Sequence, residues 1–382
     1  MRTLLVTGPG GAGSSTVAAA AAVRAARAGR RAVLLTRQLP AVHGLDAETG
    51  LEVRRIGGAR ALVDLWAAHE RTLGGLLPYL TLPPASSVVP LPGAEEIALL
   101  AELGNAEADV VVVDAGPLRD GLGLVALPAV LRWWTDQALP PSARALAAVR
   151  TAAVTAGAVR PGPLDSALSV LPALERLLAR DRLADPAGTA VWLTSEARCS
   201  ASAPLRSAVT TLGLHGLRPA AVLARVLPSG GTGDWWARRT AEQQAALTEL
   251  AELAPVHAVP ERADGPVDVA GALSALEGLD LPTAGGLAAS VPRRGAGGWE
   301  FDVPLPFAER SAVTLTRWAD DLVVGVGEDR RSLRLDSLLR RCEVTGGRLA
   351  DPGTAQARLE VSFRPDPQQW PAGLLAAEER TS

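Results

Sequence analysis

The sequence predicts an α/β protein. A mostly parallel sheet carries helices on both faces and a helical insertion, and a small antiparallel β-sandwich follows at the C-terminal end. Three observations lead there. The apolar run Leu4-Leu5-Val6 enters a glycine-rich turn, Gly8 to Thr16, and then Val17 to Ala22, in the order strand, turn, helix. Further apolar runs at Ala32–Thr36, Asp109–Asp114, Thr189–Glu196, Ala220–Pro228 and Pro255–Pro260 alternate with helically spaced segments, as in a parallel α/β sheet. From Trp299 the apolar period becomes two, through Trp299–Val303, Ala312–Trp318, Leu322–Val326, Arg331–Leu335 and Ala357–Phe363, with a hairpin turn at Ala319-Asp320-Asp321.

Bulk properties narrow the function. The net charge of -3 gives no electrostatic footprint for nucleic acid. The two cysteines, Cys199 and Cys342, make neither a disulfide framework nor a zinc pattern. The chain enters a strand almost at once and carries no long charge-free apolar stretch, so the expectation is a cytoplasmic protein without a secretory leader. All 38 basic residues besides histidine are arginine; there is no lysine.

The first turn has the geometry of a phosphate cradle. Gly8, Gly10, Gly11 and Gly13 let successive backbone N–H groups point inward, and the following helix adds the positive end of its dipole. Gly8 and Gly13 have the spacing of G-x-x-x-x-G-K-[ST], but Ser14 stands where the lysine belongs. Ser15 takes the position of the magnesium-holding hydroxyl, followed by Thr16. Asp114 ends a buried strand, where such sites place a carboxylate behind the metal. The ligand such a site would take is ATP or ADP with magnesium, held by these residues, with Ser15 and Asp114 at the metal if nucleotide binds; the alternative is that no cofactor binds.

GPGGAGSST resembles the deviant loop GKGGVGKTT of the ArsA/GET-type ATPases, the arsenite-pump and tail-anchored-protein-targeting branch of the P-loop NTPases. The resemblance runs from about Met1 to Gly278. It implies a lysine reaching across a dimer, here Pro9, and one holding the β- and γ-phosphates, here Ser14. It implies a switch I of pattern S-T-D-P-A-H; this chain reads Thr36 to His43, with Pro40-Ala41 kept and no aspartate before the proline. Switch II, T-G-H-T in the family, has become Leu118-Arg119-Asp120-Gly121, whereas Asp114, Pro117, Leu122, Leu124, Leu127 and Pro128 hold their places. The asparagine that reads adenine in V-V-V-N-R-V-L-P is Ala224, and Pro228 ends the same run as a further cofactor-binding candidate. Glu95 and Glu96 fall in the first turn of a helix, where carboxylates suit the dipole.

The expected organisation is an NTPase-like domain over 1–282 with a helical insertion over about 131–183, a linker over 283–298, a β-sandwich over 299–365 and a mobile tail over 366–382. Leu51–Ile56 is read as a further strand and Ala61–Leu77 as a helix. The sandwich resembles the small-heat-shock (α-crystallin-like) domain carried by some members, on DDLVVGVGEDRRSLRL and on GGRL followed by ARLEVSF. With Met1 the sole methionine, the insertion is either ordinary core with a dimer face or a leucine-lined client groove.

Five departures, at Pro9, Ser14, switch I, switch II and Ala224, each remove a group that meets nucleotide. The expectation is a non-hydrolysing binding, chaperone-like or targeting protein with no confident catalytic residue. It would form a homodimer, or a heterodimer with an intact paralogue, and meet hydrophobic or membrane-protein clients. The alternatives are an active ATPase using arginines such as Arg119 or Arg225, or the inert half of a heterodimer.

Overall fold

A computed structural model describes residues 2–38, 42–57, 63, 84–87, 89, 92–160, 171–172, 174–265, 268–282, 286–287, 290–295 and 298–370. The predicted helix Ala61–Leu77 lies outside these residues apart from Val63, as do the switch I residues Pro40-Ala41, part of the insertion and most of the tail.

Seven strands form one parallel sheet: β1 (Arg2–Gly8), β2 (Ala32–Thr36), β3 (Leu51–Arg55), β4 (Val110–Pro117), β5 (Thr189–Glu196), β6 (Pro219–Val226) and β7 (Val256–Pro260), in the order β3-β2-β4-β1-β5-β6-β7. The helices described in full include α1 (Ser14–Arg27), α2 (Ala94–Asn105), α3 (Leu118–Ala138), α4 (Pro141–Thr155), α5 (Cys199–Leu214), α6 (Asp234–Ala251) and the short α7 (Val269–Ser274).

Strand alternation divides the core. Leu5, Val111, Val113, Val191, Leu193 and Val222 face one side and pack against α2, α3, α5 and α6. Leu4, Val6, Val110, Val112, Trp192 and Leu223 face the other, under α1 and α7. Five successive buried alanines, Ala18 to Ala22, let α1 lie close to the sheet, and alanine is also the best helix former.

Two antiparallel sheets follow. One is β10 (Val313–Trp318), β11 (Asp321–Val326) and β12 (Asp329–Arg334) in sequential order. The other runs β13 (Cys342–Ala350), β14 (Arg358–Pro365), β9 (Gly298–Pro304), β8 (Arg293–Gly295). Their inward residues, among them Leu322, Val324, Leu359, Val361 and Phe363, make a third core as a small β-sandwich. The expected hairpin is present, with Ala319 at φ 49°.

The structure corrects one local expectation. The segment read as a linker contributes β8, which pairs with β9. α3 runs through the buried Pro128 to Ala138 without a break, because packing of Leu124, Val125 and Pro128 offsets the backbone bond that proline removes.

The sandwich docks on the C-terminal half of α5. Gly213 leaves room for Pro306; a Cβ there would lie 2.4 Å from the proline Cδ. Thr210 Oγ1 donates to the Pro306 carbonyl at 2.6 Å, and Thr211 Oγ1 to Asp329 Oδ2 at 2.6 Å. Arg331 Nη1 donates to the Leu214 carbonyl at 2.6 Å, while Leu214 itself joins the sandwich core. Phe307, at φ 62°, inserts into the core of the parallel domain under the Arg206 guanidinium, 4.9 Å from the ring centre.

Candidate functional site

The carboxyl ends of β1, β4 and β5 meet at the glycine-rich turn. Gly8 is needed there by close approach, since a Cβ would lie 2.2 Å from the Thr194 carbonyl oxygen on β5. Gly11 and Gly13 take positive φ, 81° and 88°, the left-handed conformation that lets the loop turn back into α1. A Cβ built on Gly10, Gly11 or Gly13 meets nothing within 4 Å, so this side of the loop is open. Gly13 caps α1 with no side-chain hydrogen bond and no acidic residue in the first turn. The first N–H groups, at Ser14, Ser15 and Thr16, therefore have no intrahelical partner and can meet an anion.

Asp114 is buried at the end of β4, beside Val6 of β1 and Thr36 of β2 in register. Its Oδ2 accepts from Thr36 Oγ1 at 3.0 Å and its Oδ1 from the Gly116 N–H at 3.3 Å. Thr7 Oγ1 donates to the Gly116 carbonyl at 3.0 Å, which ties β1 to the turn after β4. Ser15 is half-buried in the first turn of α1.

A cleft of about 730 Å³ opens beside the turn. Ala12, Gly13 and Thr16 form one wall, and Arg225, His257 and Arg262 stand on the other. Arg225 is bonded to Glu196, and Arg262 to Ser274 Oγ. The expected base-reading position, Ala224, is fully buried in β6. Pro228 is exposed beyond the strand end and lies outside the cleft lining, so the structure does not bring it to the other predicted residues.

The switch region contains what sequence reasoning missed. Arg37, next after β2, donates from Nη1 to Glu96 Oε1 at 3.0 Å, and from Nη2 to Asp120 Oδ2 at 3.0 Å and the Ala115 carbonyl at 2.8 Å. Only 11% of its side chain is exposed. Glu96, expected simply to suit the dipole of α2, is thus also an ion-pair partner. Gly121 lets α3 press on β1, since a Cβ would lie 2.5 Å from Thr7 Oγ1. Arg119 is exposed on the first turn of α3, and His43 is exposed in a bridge to Asp268. No local sequence signal joins Arg37 to Glu96 and Asp120, which stand 59 and 83 positions from it.

Comparison with known proteins fixes the family. Residues 296–363 match the family model described as the HSP20-like domain found in ArsA. Uncharacterized protein SCO2128 of Streptomyces coelicolor is 37% identical over 399 aligned positions, covering 98% of this chain and 100% of that protein. Protein Rv2184c of Mycobacterium tuberculosis is 30% identical over 443 positions, covering 97% of each. The chain belongs to the ArsA family. Its C-terminal sandwich is the small-heat-shock-like domain of this ArsA-family protein, and its parallel domain presents the altered loop. Among the described residues no helix is long and apolar enough to cross a membrane, and no cluster of histidine, cysteine and acidic side chains is arranged to hold a metal by itself.

Proposed function

We propose that this ArsA-family protein is a non-hydrolysing member that works by binding. One observation carries the reading: the cradle keeps its backbone shape while Ser14 replaces the lysine and the switch arginine, Arg37, is consumed by Glu96 and Asp120. Phosphoryl transfer depends almost wholly on positioning and on charge at the γ-phosphate. A loop without lysine supplies only N–H dipoles and hydroxyls there. Loss of such groups slows phosphoryl or acyl transfer by about 10³-fold or more.

The residues fit a magnesium nucleotide in shape. The open glycine face would receive phosphate oxygens, the Ser15 hydroxyl would meet magnesium, and Asp114, already oriented by Thr36, would stand behind it. Bound magnesium would neutralise phosphate charge and thereby take over part of the missing lysine's task.

Trp134 on α3, with Leu146 and Val149 on α4, is exposed. This apolar surface supports a contact with a second ArsA-type subunit. A hydrophobic client is the other occupant the exposed side chains suit.

Ser14→Lys tests the reading. The added ammonium restores a point charge among free N–H groups, so affinity for magnesium ATP by calorimetry should rise about tenfold or more. Hydrolysis should stay near background, because the switches remain changed. An unchanged affinity would show that charge at position 14 is not what the site lacks.

A further inference from the structure

Three segments far apart in sequence meet at Arg37: the end of β2, the first turn of α2 through Glu96, and the junction of β4 and α3 through the Ala115 carbonyl and Asp120. Guanidinium geometry suits this, since its planar fork can serve several acceptors at once. The guanidinium is shielded, while its partners Glu96 and Asp120 stay partly exposed.

The other end of α3 reaches the C-terminal domain. Its 21 residues span about 31 Å at 1.5 Å per residue. Near its end, Gln137 Oε1 accepts from Trp318 Nε1 of β10 at 3.2 Å, and α3 also packs on β12. One continuous helix therefore has an ion-pair cluster at its start and the sandwich at its end.

We propose that Arg37 is a positioning residue that staples the two switch segments into one arrangement, and that α3 carries this constraint to the small-heat-shock-like domain. The guanidinium holds together parts that a nucleotide would otherwise have to order. The inference stands whether or not nucleotide binds, since every contact it uses lies within the chain.

Hydrogen–deuterium exchange on the full chain tests it. Arg37→Gln should speed exchange at least about threefold in 36–38, 94–99 and 118–124, and also in the Trp318 hairpin, 313–326. Energetic coupling is reciprocal, so Trp318→Phe should speed exchange at 118–124 as well as in its own hairpin. Glu48→Gln, which breaks the exposed Arg27 pair beside α1, controls for general loosening and should leave these segments unchanged. If Arg37→Gln does not fold, Asp120→Asn removes one arm from a half-exposed turn and should give the same pattern with smaller amplitude. Changes confined to 36–38, or spread evenly over α1 as well, would overturn the staple. Changes that stop short of 313–326, or a Trp318→Phe effect confined to its hairpin, would overturn the transmission.

Discussion

Gly213→Val should destabilise the chain by about 3 kcal/mol, at the upper end for overpacking a closed contact. The glycine lies in the last turn of α5, where the Pro306 ring fills the space a side chain would use. Neither side can yield easily. Pro306 is held by the bond from Thr210 to its carbonyl, and the next residue, Phe307, is inserted in the parallel-domain core. The turn itself is held by Arg331 on Leu214 and by Thr211 on Asp329. Gly213→Ala should cost less, because alanine recovers about 1 kcal/mol of helix propensity. Thermal unfolding ranks the two variants. Limited proteolysis should show Gly213→Val cut first between 282 and 298, where the sandwich separates. Wild-type melting in Gly213→Val would mean that this joint is not closely packed.

Acid should weaken the same joint well before it reaches the carboxylates. His215 follows α5, is buried, and has an Nε2 with no hydrogen-bond partner. Burial, with the nearby Arg331 cation, pushes its pKa down to about 3. The folded pKa lies below the unfolded value of about 6.5, so the unfolded chain takes up the proton first. Stability is therefore complete above about pH 6.5 and falls as pH drops toward 3, by about 1.4 kcal/mol per unit. At pH 5 the loss is about 2 kcal/mol. The acids Glu48 and Glu52, held below the usual range by hydrogen bonds from Arg27 and Arg54, begin to matter only at lower pH. Urea unfolding at pH 7 and pH 5 should show the difference in the wild type. In His215→Leu the difference should be largely gone, and its persistence would assign the acid sensitivity elsewhere.

Much of this architecture is legible in the residues because it is local. Leu4 to Ala22 announces strand, turn and helix within one short stretch, and the period-two runs after Trp299 announce the sandwich. The loss at Ser14 is readable because one position in a fixed spacing carries one chemistry. The switch cluster is not readable in this way. Arg37 meets Glu96 and Asp120 across 59 and 83 residues, and nothing local to any of the three names the others. The arginine looks like the mere absence of a switch aspartate until the sheet order places β2 beside β4. The domain joint is hidden for the same reason. Gly213 looks like an ordinary helix-end glycine, and only tertiary packing gives it Pro306 as a neighbour.

The most direct measurement is calorimetry of ATP and ADP with magnesium on the intact, oligomer-defined protein, paired with phosphate release. A cradle with its shape kept and its lysines gone should bind neither nucleotide at micromolar concentration and release no phosphate above background. Micromolar binding with turnover would contradict it, and would make Arg119 or Arg225 the charge that serves the γ-phosphate.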